Sequence, residues 1–248
     1  MPHRIECPAP QDCQVIELRQ YTLHPGQRDV LIELFDREFV ETQEACGMTV
    51  LGQFRDLDRP DRFVWLRGFS GMEERRQALE AFYGGPVWAA HRDRANATMA
   101  EFDDVLLLRP AWPGAGWAVR QSRLAPAGSG MAAGLLDATV FHLAQGAGAE
   151  LLRLVQDVVQ PLLAQAGARA QGWYVTEPSE NTFARLPVRT GEQVLVGLAL
   201  FDDAQALAQL AGSGRWARQV APLLQPFLAQ RPPQAMRLAP TPRSAIRL

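Results

Sequence analysis

The first β-strand expected from the sequence carries charged and hydroxyl side chains that could bind a ligand. In VIELRQYTL, residues 15–23, apolar and polar positions alternate as they do in a strand. Glu17, Arg19 and Tyr21 therefore share one face of it. A guanidinium group inside a fold must have an ion-pair partner or remain hydrated. Glu17 is one candidate partner for Arg19, and a ligand carboxylate or enolate is the other; the sequence leaves both open.

Arg55 is the second candidate for a ligand-binding guanidinium. The usual strand order of the expected fold places its strand beside that of Arg19, and two guanidinium groups on one sheet face can bind a carboxylate. Cross-strand pairing with Glu17 and its neighbours is the structural alternative. Tyr21 on the same face is a candidate acid or hydrogen-bond donor, although a tyrosine there also serves core packing.

Trp88 and His91 form a third candidate group, on a helix. They are three residues apart, so both can occupy one face of that helix. His91 could act as a general base or as a haem ligand. The alternative is a surface histidine in the charged run HRDR, residues 91–94.

Composition excludes several classes of function. The 248-residue chain has a net charge of −2 and lacks a stripe of basic residues, so we expect no nucleic-acid partner. It contains no lysine, which excludes Schiff-base chemistry through a lysine amine. The sequence has no run of about 18 apolar residues, so we expect no membrane span. It also shows no signal peptide, so we expect a cytoplasmic protein. Metal-ligand spacings and phosphate-binding loops are also missing, so no cofactor is expected, with haem on His91 the one exception held open.

An internal repeat determines the expected architecture. A constant offset of 120 residues relates glycines and aromatic residues of the two halves. The matched pairs are Tyr21 with Phe141, Gly26 with Gly146, Gly47 with Gly167, Gly52 with Gly172, and Phe54 with Tyr174. Each half shows the element order β-α-β-β-α-β, which is that of a ferredoxin-like unit. We therefore expect an α+β fold of two tandem ferredoxin-like repeats packed sheet to sheet.

The repeat also sets the expected domain boundaries. They are an N-terminal tail (1–13), a first repeat (14–110), a linker rich in Pro, Gly and Ala (111–133), a second repeat (134–240) and a C-terminal tail (241–248). A ferredoxin-like sheet leaves one face bare, and the other repeat is its natural cover. On this interpretation Glu17, Arg19 and Tyr21 face the other repeat, and Ile16 and Leu18 lie under the helices.

Three segments resemble the NIPSNAP family. They are ELRQYTLHPGQ, RFVWLRGFSGMEER and AFYGGPVWAAHRDRAN, and the resemblance covers residues 15–110, with only an outline over 135–240. It implies a dimeric α+β barrel, in which two ferredoxin-like repeats pack sheet to sheet, and a homo-oligomer is an option. It implies little chemistry, because most members have no known function. Other members of the wider barrel superfamily are cofactor-free monooxygenases, isomerases and haem enzymes.

Two functions of different classes follow. The first is binding of a small organic molecule, with an acidic one as an option, in the barrel or under its helices, using Arg19, Tyr21, Arg55, Trp88 and His91. Its enzymatic form is cofactor-independent monooxygenase or isomerase chemistry, with His91 and Tyr21 as candidate catalytic residues; whether the protein is an enzyme stays open. The alternative is a non-enzymatic protein-interaction module. A pocket with these groups facing inward favours the first function, and solvated groups favour the second.

Overall fold

The computed structural model describes residues 13–118, 123 and 132–248. Within them the chain is a mixed α/β protein built around a closed barrel of antiparallel strands in the order β1-β3-β2-β8-β5-β7-β6-β4. The strands are β1 (Val15–Leu23), β2 (Thr49–Asp56), β3 (Arg62–Phe69), β4 (Met99–Pro110), β5 (Leu135–His142), β6 (Ala170–Thr176), β7 (Val194–Phe201) and β8 (Gln234–Pro240). Most of the expected N-terminal tail and much of the expected linker lie outside the described residues.

Helices cover the outside of the barrel. The α-helices are α1 (Arg28–Leu34), α2 (Val40–Ala45), α3 (Met72–Tyr83), α4 (Pro86–Asn96), α5 (Ala149–Leu154), α6 (Gln160–Gln165), α7 (Ala204–Gly212), α8 (Arg215–Gln219) and α9 (Ala221–Leu224). Pro86 begins α4, where a proline lacks no hydrogen bond that the helix needs. No helix in the described part of the chain is long and apolar enough to cross a bilayer.

The two halves of the chain contribute equivalent strand orders to the barrel. The first half reads β4-β1-β3-β2 and the second reads β8-β5-β7-β6. The halves join edge to edge, β2 to β8 through Phe54 and Pro240, and β4 to β6 through Leu108 and Thr176. Closure pairs every edge strand, so no edge of the sheet is left exposed.

A π-helical segment interrupts the first helix of each half at the same place. Phe35–Phe39 separates α1 from α2, and Val155–Val159 separates α5 from α6, at an offset of 120 residues. Gly47 and Gly167, at the same offset, follow α2 and α6 with φ angles of 91° and 100°. These left-handed conformations favour glycine, which explains why the residue recurs where each helix ends.

The barrel interior is apolar and is filled from both halves. Ile16 and Leu18 of β1 meet Leu136 and Val196 of the second half in one buried cluster. Tyr21 instead packs with the helices of the first half. The expected orientation of β1 is therefore wrong: its charged face lies under the helices, and its aliphatic face lines the interior. Alternation defines two faces of a strand, but both faces of this strand are buried.

Two element boundaries differ from those expected. The sequence pattern predicts a helix from Pro86 to Ala100 and a strand from Asp104 to Leu108, but α4 ends at Asn96 and β4 begins at Met99. The early part of β4 is exposed on both faces, with acidic residues among Ala100 and Phe102, so its sequence does not show the alternation of a half-buried strand. The C-terminal residues 241–248 pack against the barrel, where the Ile246 amide donates a hydrogen bond to the Leu51 carbonyl.

Candidate ligand-binding site

Glu17 lies at the centre of a buried cluster of three arginines. Its carboxylate is 2.6 Å from Nη1 of Arg19, 2.7 Å from Nη2 of Arg67 and 2.7 Å from Nη2 of Arg75. The three guanidinium side chains and Glu17 are at most 1% exposed. Strand β1 supplies Glu17 and Arg19, the neighbouring β3 supplies Arg67 directly opposite Glu17, and α3 brings Arg75 over both.

The charges of this cluster do not balance. One carboxylate faces three guanidinium groups, and among the described residues no other carboxylate contacts these arginines. Burial alone would raise the pKa of the Glu17 carboxyl, but the positive charges of Arg67, Arg19 and Arg75 outweigh burial and hold that pKa well below its usual range. Arginine keeps its proton in proteins, so the cluster carries an excess of two positive charges.

Aromatic rings and polar side chains surround the excess charge. The Arg67 guanidinium carbon lies 5.1 Å from the Trp65 ring centre, and that of Arg19 lies 5.6 Å from it. Such cation–π contacts partly replace the lost hydration of a buried cation. Nε of Arg19 also donates to the Tyr21 hydroxyl at 2.9 Å, and Nη1 of Arg67 donates to the Tyr83 hydroxyl at 3.4 Å and to Oε1 of Gln43 at 3.1 Å.

These hydrogen-bonded side chains connect the cluster to a cavity. A cleft of about 390 Å³ opens between the helices of the first half and β4, and Tyr21 and Tyr83 line it. A smaller inner space of about 30 Å³ shares both tyrosines and Trp88 with the cleft and reaches Gln43. The cleft therefore ends at hydroxyl and amide groups, and the arginines lie directly behind them.

The walls of the cleft are largely aromatic and apolar. Tyr83 packs edge-on against Trp88 with ring centres 4.9 Å apart, and Phe183 stacks on Tyr83 at 5.9 Å. Met99 and Phe102 of β4 complete the apolar lining. A concave apolar pocket with a few convergent polar groups is the usual form of a small-molecule site.

The structure brings some of the sequence-predicted residues together. Arg19 and Tyr21 adjoin the floor of the cleft, and Trp88 lines it. A tryptophan recurs as Trp216 in the corresponding helix of the second half, and this recurrence predicts that both are largely buried. Trp88 and Trp216 are each only partly buried. Trp88 nevertheless joins the aromatic cluster of the first half.

Arg55 and His91 lie elsewhere, which corrects their grouping with Arg19. Strand β3 separates β2 from β1, so Arg55 is not on a strand next to Arg19, and its guanidinium pairs with Asp29 at the surface. His91 projects towards Glu38, with Nε2 3.6 Å from that carboxylate, and lines neither described cavity. It is thus not placed to act on a ligand in the cleft, nor to hold a haem there.

Sequence reasoning missed the residues that complete the site. Arg67 lies within the apolar run RFVWLRGF, and Arg75 lies within EERRQ, which looks like a solvated helix face. Tyr83 and Gln43 also went unnoticed, since each is an ordinary residue of an amphipathic helix. A usable signal for Arg67 was its position on the same face of β3 as Trp65, two residues earlier.

Metal ligands are not grouped in the part of the chain that the structure describes. No cluster of three or more His, Cys, Asp or Glu side chains occurs among residues 13–118, 123 and 132–248. The site chemistry is instead that of guanidinium groups, phenol hydroxyls and aromatic rings.

Comparison with solved structures places this architecture in a known class. The chain is similar to crystal structures of a putative monooxygenase from Fusobacterium nucleatum (TM-score 0.57, 6% identity, 92% of each chain covered) and of another from Lactobacillus acidophilus (0.56, 7%, 95% of this chain and 98% of that one). An anthrone oxidase-like protein gives a TM-score of 0.57 at 15% identity, with 95% of each chain covered. At these identities the likeness establishes the fold alone, that of the dimeric α+β barrel proteins.

A family model matches part of the sequence. The NIPSNAP family model matches residues 16–112, which lie in the first half of this chain. This confirms the resemblance noted over residues 15–110, and the matched range contains Glu17 and all three arginines of the cluster. No curated protein matches the chain significantly.

Proposed function

We propose that the protein binds a small organic molecule with an acidic or enolic oxygen in the cleft of its first half. The observation that carries this proposal is the excess of positive charge at the buried Glu17 cluster. Uncompensated buried charge costs several kcal/mol per ion. An anionic oxygen at the end of the cleft offsets that cost, because it places negative charge next to the arginines.

The tyrosines transmit the charge to the ligand. Arg19 and Arg67 each donate a hydrogen bond to a phenol oxygen, which leaves the phenol O–H of Tyr21 and of Tyr83 to donate into the cleft. A hydrogen bond accepted from a cation makes the phenol a stronger donor, since successive hydrogen bonds polarise one another. Two such donors at one end of an apolar cleft favour an oxygen that carries negative charge.

The enzymatic form of this proposal is cofactor-free monooxygenase or isomerase chemistry. Both proceed through an enolate or phenolate, and preorganised donors lower the energy of such an oxyanion. Names of structural relatives agree with this direction, but they describe those proteins. We further propose that the protein needs no cofactor, that it is cytoplasmic, and that it forms a homo-oligomer.

We also propose that the two halves are tandem copies of one ferredoxin-like unit. Their equivalent strand orders and the π segments 120 residues apart support this. The ligand site is then a specialisation of one copy. It lies between sheet and helices, not inside the barrel, where Ile16 and its neighbours pack.

The test is ligand binding by hydroxyl-deletion variants. Wild-type protein is screened by thermal shift against naphthols, 1,3-diketones and their O-methylated counterparts, and Kd is measured by calorimetry for the compounds that raise Tm. We expect the free acids to bind, and Tyr21→Phe and Tyr83→Phe each to weaken them roughly tenfold or more, since hydrogen bonds to charged groups contribute about 1.5–3 kcal/mol.

Tyr174→Phe is the matched control for these variants. The Tyr174 hydroxyl is buried in the second half and accepts a hydrogen bond from the Trp117 amide at 2.7 Å, so its loss also weakens the fold. Tyr174 does not line the cleft, so the Tyr174→Phe variant should bind the same compounds with the Kd of wild type. If no compound raises the Tm of wild type, the protein-interaction alternative is favoured; unchanged Kd in Tyr83→Phe would reject the site.

A further inference from the structure

The cleft of the first half is completed by a loop from the second half. Residues 177–193 connect β6 to β7, whereas the corresponding connection of β2 to β3 needs only residues 57–61. Phe183 of the long loop is buried in the aromatic cluster of the first half, and Leu186 packs against the same cluster. The expanded loop therefore serves the other half's site.

A hydrogen-bond network fixes this loop to the arginine cluster. Oδ1 of Asn181 accepts from Nη1 of Arg75 at 3.0 Å and from the Phe183 amide at 3.1 Å. Its Nδ2 donates to the Leu186 carbonyl at 2.8 Å. The loop conformation thus depends on a buried guanidinium that also binds Glu17, and the loop is a built wall of the cleft.

The loop places a cation at the mouth of the cleft. Arg185 lies in a turn closed by a hydrogen bond from the Leu186 amide to the Phe183 carbonyl, and its guanidinium carbon is 5.8 Å from the Phe183 ring centre. It forms no ion pair with any residue in the described parts of the chain. Arg92 and Asp93 also line the cleft, and Nε of Arg92 is 3.4 Å from the exposed Asp93 carboxylate.

These three zones define a ligand. The deep end offers phenol donors backed by arginines, the walls are aromatic faces, and the mouth has a guanidinium free to form an ion pair. We infer that the ligand is a flat, unsaturated carboxylate with a hydroxyl or carbonyl oxygen at its opposite end. Its oxygen meets Tyr21 and Tyr83, its flat body packs against Phe183 and Trp88, and its carboxylate meets Arg185. This inference rests on the proposed function and adds the substrate class.

The experiment compares an acid with its ester. The probes are 6-hydroxy-2-naphthoate, its methyl ester, and 2-naphthol, each titrated into the full-length protein by calorimetry at low ionic strength. We expect the acid to bind roughly three- to tenfold more tightly than the ester, the range for a partly solvated ion pair with a hydrogen bond. Added salt should reduce that ratio, because exposed ion pairs are screened.

Variants assign the preference to the loop. Arg185→Gln should bring the acid-to-ester ratio close to one, and should leave the Kd of 2-naphthol unchanged. Arg153→Gln is the matched control, because Arg153 is an exposed arginine of α5 and lines neither described cavity. It should keep the wild-type ratio.

The outcomes separate this inference from the proposal beneath it. If acid and ester bind equally to wild type, the carboxylate class is wrong while the naphthol-binding site stands. If Arg185→Gln keeps the preference, the carboxylate does not meet Arg185, and the placement of the ligand against the loop is wrong. If 2-naphthol and both other probes fail to bind, the proposed site itself is wrong, and the inference falls with it.

Discussion

The helix-covered faces of the two halves are built on the same strand registers but carry opposite chemistry. In the first half Glu17 faces Arg67, and Arg19 faces Trp65, across β1 and β3. At the equivalent places in the second half Asp137 faces Ala199, and Thr139 faces Gly197, across β5 and β7. The same backbone arrangement therefore supports a charged cluster in one half and a nearly apolar face in the other.

The second half fills the corresponding space from a different strand. The Trp173 ring of β6 covers Gly197 so closely that a Cβ atom there would be 2.7 Å from Trp173 Cζ3. In the first half the tryptophan is on β3 as Trp65, and β2 supplies Gln53 beside it. An exchange of large and small residues between neighbouring strands keeps the volume and leaves room for guanidinium groups only in the first half.

This difference shows what the extra charges require. Glu17 has three cationic partners, and its pKa is lowered. Asp137 is partly buried, and burial raises the pKa of its carboxyl to about 6. The ionised Glu17 carboxylate thus stabilises the fold at neutral pH, whereas the ionised Asp137 carboxylate destabilises it. Both statements can be tested by removing the charge.

Glu17→Gln should have the largest effect. The substitution leaves three buried guanidinium groups together without a carboxylate, which should reduce the free energy of unfolding by about 3–5 kcal/mol. Urea denaturation at pH 7 measures the loss. Glu33→Gln, at an exposed position of α1, is the control, and its free energy of unfolding should stay within about 0.5 kcal/mol of wild type. A loss below about 1 kcal/mol at Glu17 would show that the cluster does not depend on its carboxylate.

Arg19→Met should have an intermediate effect. If Arg19 were purely structural, its removal would leave Glu17 buried and unpaired, whereas removal of a purely ligand-binding Arg19 would leave stability unchanged. The structure supports neither extreme, because Glu17 keeps Arg67 and Arg75 while Tyr21 loses its donor. We expect a loss of about 1–3 kcal/mol, within the range for a charged hydrogen bond.

Thr139→Ala at the equivalent position of β5 is the comparison for Arg19→Met. It should change the free energy of unfolding by less than about 0.5 kcal/mol, as at ordinary partly exposed sites. Equal losses in the two variants would mean that the halves do not differ in the way described. A gain in stability for Arg19→Met would instead mean that, without ligand, the cost of the excess positive charge outweighs the hydrogen bonds of Arg19 to Glu17 and Tyr21.

Much of the fold could be predicted from the sequence, because a repeat constrains the architecture. The sequence pattern predicts strands at 15–23 and 62–69 and a helix from about Gln27 to Cys46. The structure has β1 and β3 at these limits, and α1 to α2 span Arg28 to Ala45. The π segment inside that helix is not predicted, since Phe35–Phe39 has an ordinary helical pattern. The sequence does not encode it in any periodic signal.

The candidate site was predicted only at β1. Glu17, Arg19 and Tyr21 could be identified because the alternation of apolar and polar residues in a short strand places all three on one face. Arg67 and Arg75 could not, since contacts between separate elements decide which arginines gather around one carboxylate. Arg55 was assigned wrongly for the same reason: β3 lies between its strand and β1, and its guanidinium pairs with Asp29 at the surface. The loop that carries Phe183 has no counterpart of similar length in the first half, so the repeat gives no information about where it packs.

Asp137→Asn should have the smallest effect, and it has the opposite sign. The carboxyl has a usual pKa of 3.8 and a folded pKa of about 6, so the folded state holds its proton more tightly than the unfolded state. Wild-type stability therefore falls as pH rises from about 4 to 6, and the full penalty persists above pH 6. A two-unit shift corresponds to roughly 3 kcal/mol, and partial exposure reduces this to about 1–2 kcal/mol.

The measurement is urea denaturation of wild type and Asp137→Asn at pH 4 and pH 8. The variant should be more stable than wild type at pH 8 and about equal to it at pH 4, because asparagine cannot lose a proton. Glu17→Gln should be strongly destabilised at pH 8, since the lowered pKa of Glu17 keeps the carboxylate charged there. If Asp137→Asn were also destabilised at pH 8, Asp137 would have a cationic partner in solution, and the contrast between the two faces would be one of degree.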